Sequence, residues 1–254
     1  MRCTIAVAGK GGVGKTTLSA LLVSRLIARG KTPVLAVDAD PNSCLDATLG
    51  VRAERTIGSV REDARTEAQK GMAVGMSKQQ YLELRIAESL VESRDFDLIA
   101  MGRPEGPGCY CYANNVLKDA LAQIVDNYPY VVIDNEAGLE NLSRRLVPKT
   151  DVLVLVADPS RRGLETMARL HALALEMGIA FKQLALVVNR LRGAALPPYA
   201  RELHMATGAA ICLGLPENAA LSELDEAGIP LTTLAPDNPL AAQIDTLLDL
   251  IGPM

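Results

Sequence analysis

The chain has no surplus of positive charge, no long apolar run and almost no histidine. Its 26 lysines and arginines face 30 aspartates and glutamates, for a net charge of −4. A nucleic-acid surface needs a basic patch, so that class of partner is not expected. No apolar stretch nears the roughly 18 residues of a membrane span, so no membrane partner is expected either. Met1-Arg2-Cys3-Thr4-Ile5 passes straight into a strand, leaving no room for a signal peptide. The two histidines, His171 and His204, lie in separate helical patterns without ligand spacing and read as structural. Five cysteines, an odd number, argue for thiols in a reducing compartment rather than a disulfide framework. The expected location is cytoplasmic. No internal repeat, low-complexity tract or interdomain linker divides the chain. With 254 residues and 49% hydrophobic content, residues 1–254 can close one core as a single domain.

What is present is an alternation of apolar runs with helical patterns, which predicts a mostly parallel α/β sheet of about seven or eight strands, with helices on both faces. The strands are expected at Arg2–Ala8, Pro33–Asp38, Asp97–Met101, Tyr130–Asp134, Asp151–Ala157, Leu184–Asn189, Ala210–Leu213 and, briefly, Leu231–Leu234. Helices are expected at Lys15–Arg29, Asn115–Val125, Leu139–Val147, Gly163–Met177, Pro198–Ala206, Ala219–Ala227 and Pro239–Ile251, the first ending at Gly30. Residues 52–94 are charged and short of strand signals, and read as an insertion that is helical around Gln80–Val91. Strands that end in Asp38, Asp134, Asp158 and Asn189 mark the carboxyl edge, where open α/β sheets carry their sites.

The most specific motif is Gly9-Lys10-Gly11-Gly12-Val13-Gly14-Lys15-Thr16-Thr17, between an apolar strand and a helical pattern. It fits the G-x-x-x-x-G-K-[ST] phosphate-binding loop. The glycines let backbone N–H groups of Gly11, Gly12, Val13 and Gly14 curl around phosphate oxygens, and the following helix N-terminus adds partial positive charge. Lys15 would reach the β- and γ-phosphates, Thr16 would bind Mg²⁺, and Thr17 closes the cradle. The chain is thus expected to bind ATP and ADP. Lys10 stands at the front of the loop, where a lysine can point into a facing subunit.

Phosphoryl transfer asks for fixed positive charge, Mg²⁺ and an oriented water rather than covalent chemistry. Asp40 is the candidate for holding that water and Asp38 for the outer shell of Mg²⁺, although both acids could simply cap the next helix. Val131-Val132-Ile133-Asp134 reads as an apolar strand feeding a switch through Gly138, with Asp134 holding Mg²⁺ through water. Asn189 and Arg190 end another strand, where the amide can read an adenine edge or merely turn the chain. Pro216 and Glu217 can close the other side of the base.

Gly106-Pro107-Gly108-Cys109-Tyr110-Cys111-Tyr112 falls in a cysteine loop over 104–112. Cys109 and Cys111 are too close in sequence for an easy disulfide. Two thiolates can share one metal ion, but soft sites want four ligands, and a two-fold axis through an identical subunit could supply the rest. Structural thiols are the other reading. Cys3, Cys44 and Cys212 read as small buried hydrophobes.

Gly-Lys-Gly-Gly-Val-Gly-Lys-Thr-Thr with Asp38-Ala39-Asp40-Pro41 resembles the deviant Walker A ATPases, which include nitrogenase iron protein, MinD, ParA and the arsenite and tail-anchored-protein ATPases. Within that group, Met101-Gly-Arg-Pro-Glu-Gly-Pro-Gly-Cys-Tyr-Cys-Tyr-Ala-Asn-Asn115 and Asp134-Asn-Glu-Ala-Gly-Leu-Glu-Asn-Leu-Ser143 are similar to the CooC-type maturation ATPases of carbon monoxide dehydrogenase. The resemblance spans nearly the whole chain. It implies a homodimer enclosing two ATP, Lys10 crossing to the other subunit's phosphates, and Ni²⁺ or Zn²⁺ held between two C-x-C pairs. It also implies apo carbon monoxide dehydrogenase as the partner. An electron-transfer ATPase with a [4Fe–4S] cluster is the first alternative. It fits less well, because that group draws its thiolates from two distant loops and no cysteine follows Asp134 closely. A spatial organiser like MinD or ParA is the second. Its membrane form usually needs a basic amphipathic helix, whereas the segment from Ala241 to Met254 is acidic.

Overall fold

The run Val152–Ala157, here β6, reads Val-Leu-Val-Leu-Val-Ala and is buried at every position. A strand without a polar side needs cover on both faces, and the computed structural model supplies it. The structure describes residues 2–42, 44–60, 62–63, 77–102, 119, 121–139 and 150–252. The other strands are β1 Cys3–Gly9, β2 Val34–Ala39, β3 Val91–Glu92, β4 Phe96–Ala100, β5 Tyr130–Ala137, β7 Gln183–Leu191 and β8 Ile211–Pro216. They form one eight-stranded sheet in the order β3-β4-β2-β5-β1-β6-β7-β8. Every neighbouring pair is parallel except β3 with β4.

Alternation along β1 sends Ile5 and Val7 to one apolar layer and Ala6 and Ala8 to the other. The first layer holds Leu18, Leu22 and Leu26 of α1, Lys15–Ala28, with Ile244 and Leu248 of α7, Pro239–Ile251. Arg25 of α1 donates to Asp245 of α7 at 3.1 and 2.6 Å, and Arg29 pairs with Asp249. The second layer holds α3, Lys78–Ala87, α4, Arg161–Glu176, and α5, Pro198–Thr207, through Ile86, Leu164, Met167 and Leu203. A short α2, Leu45–Leu49, follows β2, and α6, Ala219–Glu226, follows β8.

Helix α1 stops in a left-handed turn at Gly30, whose N–H donates to the Ile27 carbonyl while Lys31 N–H donates to Leu26. That pairing satisfies carbonyls the helix leaves open, and only glycine adopts the conformation freely. Two expectations need correction. Leu231–Leu234 is not a strand. Pro230 sets a single 3₁₀ turn, Leu231–Thr233, with Thr233 N–H on the Pro230 carbonyl at 3.0 Å. The helix expected to run to Val91 stops at Ala87, and Val91 and Glu92 instead pair antiparallel with Leu98 and Asp97. The helix expected at Asn115–Val125 is described at Asp119 and from Leu121 onward, and that at Leu139–Val147 lies outside the described residues beyond its first residue. Among the described residues no helix is long and apolar enough to cross a membrane.

Candidate nucleotide site

From β1 the chain turns through α1 toward β2 on one side, while β6, β7 and β8 follow on the other. A crevice opens beyond the strand ends at such a point. The loop from Gly9 to Thr17 fills it. Gly9 is packed so closely under β6 that a Cβ would collide with the Val156 carbonyl oxygen. Gly12 and Gly14 have φ of 77° and 92°, a region glycine enters without a steric penalty. Lys10, Gly11 and Gly12 are exposed, whereas Val13 and Lys15 are buried. The Lys15 ammonium reaches back over the loop and donates to the Lys10 carbonyl at 3.4 Å, across the mouth where phosphates would lie.

Asp38 and Asp134 are direct neighbours in the pairing of β2 with β5, and both are buried. The Thr16 hydroxyl donates to Asp134 at 2.6 Å and the Ser19 hydroxyl at 3.2 Å. Asp38 accepts from the Asp40 N–H at 3.1 Å and the Leu45 N–H at 3.0 Å, fixing the chain after β2. Burial pushes the Asp38 carboxyl up to about 6. Burial likewise pushes Asp134 up to about 7, with Asp38 adding to the rise while Thr16, Lys15 and Ser19 oppose it. Thr16, Asp38 and Asp134 form an all-oxygen donor set with crowded negative charge, which fits a hard divalent cation such as Mg²⁺. Asp40 is half-buried, and its Oδ1 accepts from the Asn42 N–H at 2.9 Å and the Asn42 amide at 3.1 Å.

The Lys10 charge is felt at Asp158, the residue after β6. Burial opposes ionisation of that acid, yet the Ser160 hydroxyl and N–H and the Lys10 charge outweigh it and hold Asp158 below the usual range. Next to the phosphate loop, a cavity of about 230 Å³ is bounded by Gly14, Thr17, Asn189, Arg190, Pro216 and Glu217. The structure thus brings the four expected base-binding residues together against the end of the phosphate cradle. Its far wall, Asn218, Leu221 and Asp225, was not anticipated. Asn218 caps α6 by accepting from Leu221 N–H at 3.1 Å. An asparagine at the start of the helix after the last strand was the available signal. Glu217 also faces Arg192 at 3.6 Å.

Cys109 and Cys111 lie outside the described residues. Cys3, Cys44 and Cys212 are free thiols; only Cys3 is fully buried, whereas Cys44 is exposed and Cys212 half-buried, against the expectation that all three are buried. Cys44 is the exposed N-cap residue of α2, just before the buried Leu45. His204 contacts the Ala209 carbonyl at 2.9 Å, and burial lowers the His171 imidazole.

The AAA domain family matches residues 2–178 of the chain. An uncharacterized ATP-binding protein of Methanocaldococcus jannaschii is 41% identical over 251 residues, 97% of each chain. The carbon monoxide dehydrogenase accessory protein CooC of Rhodospirillum rubrum is 30% identical over 263 residues, covering 98% of this chain and 97% of CooC. Among solved structures, the MinD cell division protein of Aquifex aeolicus superposes with a TM-score of 0.69 at 25% identity, over 99% of this chain and 98% of that one. The loop, the paired carboxylates at the strand ends and these similarities agree: the chain belongs to the AAA domain family and is an ATP-binding P-loop ATPase of the MinD, ParA and CooC type.

Proposed function

We propose that this ATPase is a cytoplasmic, dimeric nucleotide switch that carries nickel or zinc at paired Cys109 and Cys111 and assists metal insertion into carbon monoxide dehydrogenase. The observation that carries the reading is the full-length similarity to CooC in a chain holding Cys109-Tyr110-Cys111. In this scheme Lys15 and the N–H groups of Gly11 to Thr17 cradle the phosphates. Thr16, Asp38 and Asp134 would hold Mg²⁺, which neutralises charge on the phosphate oxygens when bound. Asp40 orients the attacking water, and Lys10 reaches the partner subunit's phosphates. Asn189, Arg190, Pro216 and Glu217 surround the base. If metal and nucleotide both favour the closed dimer, each strengthens the other's binding by the same factor. Cys109→Ala combined with Cys111→Ala is expected to lose stoichiometric nickel or zinc in equilibrium dialysis and to keep ATP hydrolysis. Retained metal in that variant would refute the ligand assignment.

A second reading, a spatial organiser like MinD or ParA, is supported equally by the likeness to the MinD cell division protein along 99% of the chain. Sedimentation with anionic liposomes and with duplex DNA, each with Mg-ATP, separates the two. ATP-dependent co-sedimentation favours the organiser, and its absence together with metal binding favours the carrier.

A further inference from the structure

The geometry points to Asn189 as a strut beneath the phosphate loop, a positioning residue whose amide holds the Val13 carbonyl in place whatever base is bound. The inference rests on the nucleotide-binding reading of this loop and deepens it. Strand β7 pairs with β8 at Val188 and Gly214, and next at Leu191 and Pro216. That is three steps along β7 against two along β8, a one-residue bulge at Asn189–Arg190. Bulges re-aim side chains beside functional sites. Arg190 sits at φ 59°, the one non-glycine residue with positive φ among the described residues. Such conformations persist where the surroundings over-determine them.

The bulge directs the Arg190 N–H onto the Asn189 Oδ1 at 2.9 Å. With the oxygen so assigned, Nδ2 faces the loop and donates to the Val13 carbonyl at 2.9 Å. The fit extends one residue further: a Cβ on Gly14 would lie 2.5 Å from that same Nδ2. The amide therefore packs against the turn from which α1 starts, between the buried Val13 and Lys15. The Leu191 carbonyl then accepts from Glu217 N–H at 2.9 Å, so one bulge ties the phosphate loop to the wall of the base cavity. An asparagine side chain offers two N–H donors and one oxygen. One donor is spent on Val13 and one lone pair of the oxygen on Arg190, so the amide keeps one N–H and one lone pair for a base while it holds the loop.

Mg-tripolyphosphate, which has phosphates but neither base nor ribose, tests this. Affinities of wild type and Asn189→Ala are measured for Mg-ATP and Mg-tripolyphosphate by competition against a fluorescent ADP. A strut predicts that both ligands weaken by a similar factor, about three- to tenfold for one lost hydrogen bond. Unchanged tripolyphosphate affinity with weakened ATP overturns it and leaves Asn189 as a base contact only. Hydrogen exchange across residues 9–17 of the nucleotide-free protein is read in parallel and is expected to quicken in the variant. If tripolyphosphate competes too weakly to measure, this exchange decides, and an unchanged rate overturns the strut. Asn189→Ser replaces the alanine variant if the latter fails to fold. Wild type that fails to bind Mg-ATP would instead sink the nucleotide reading itself.

Discussion

The two ends of the nucleotide crevice are built differently. At the phosphate end, Lys15, Asp38 and Asp134 are buried, and their polar atoms are held by Lys10, Asp40, Leu45, Thr16 and Ser19. At the base end, Arg190, Glu217 and Asp225 are exposed around an open cavity. A group locked by several buried hydrogen bonds costs much to disturb, because its partners are left unsatisfied. An exposed group re-solvates. The phosphate end is therefore preorganised for charge and chemistry, while the base end supplies contact area and can tolerate change.

The largest test of that contrast is Lys10→Ala. If Lys10 acts on the partner's phosphates, turnover falls by about 10³-fold or more, as for other charges supplied in trans, while ATP affinity changes little. Wild-type turnover in the variant would remove Lys10 from the chemistry. Gly14→Ala comes next. It forces a Cβ into φ 92° and against Asn189, and is expected to cost about 1–2 kcal/mol in urea denaturation, together with a loss of ATP affinity. Normal stability would mean that the loop relaxes, and that the phosphate end is softer than its buried hydrogen bonds imply. The smallest effect is expected at the base end. Asn218→Ala removes the α6 cap and the link from its amide to Asn238 at 2.9 Å, for about 1 kcal/mol, with hydrolysis at saturating ATP retained. A collapse of saturated turnover in Asn218→Ala would erase the distinction between the two ends.

The same contrast explains what could be read from the residues alone. The phosphate loop is legible because its nine residues meet one another within one turn of chain, so spacing and chemistry coincide. The alternation of strands and helices is legible because burial on both faces leaves wholly apolar strands such as β6. The adjacency of Asp38 and Asp134 is a matter of strand order, which local patterns do not encode. The bulge at Asn189–Arg190 is hidden for a similar reason: it exists only in the mismatch between β7 and β8. The wall from α6 depends on where that helix packs. The short strand expected at Leu231–Leu234 is a 3₁₀ turn instead, because Pro230 sets the turn before the chain can extend.

The pairing of α1 with α7 has a consequence for how the molecule is made. Arg25 and Asp245 lie 220 positions apart, yet they join the helix that carries Lys15 to the thirteen-residue helix Pro239–Ile251. During synthesis Leu22 and Leu26 must wait for Ile244 and Leu248 to leave the ribosome before that layer closes. Until then the nascent chain presents an uncovered apolar flank beside its phosphate loop, a surface open to chaperones and to misassociation.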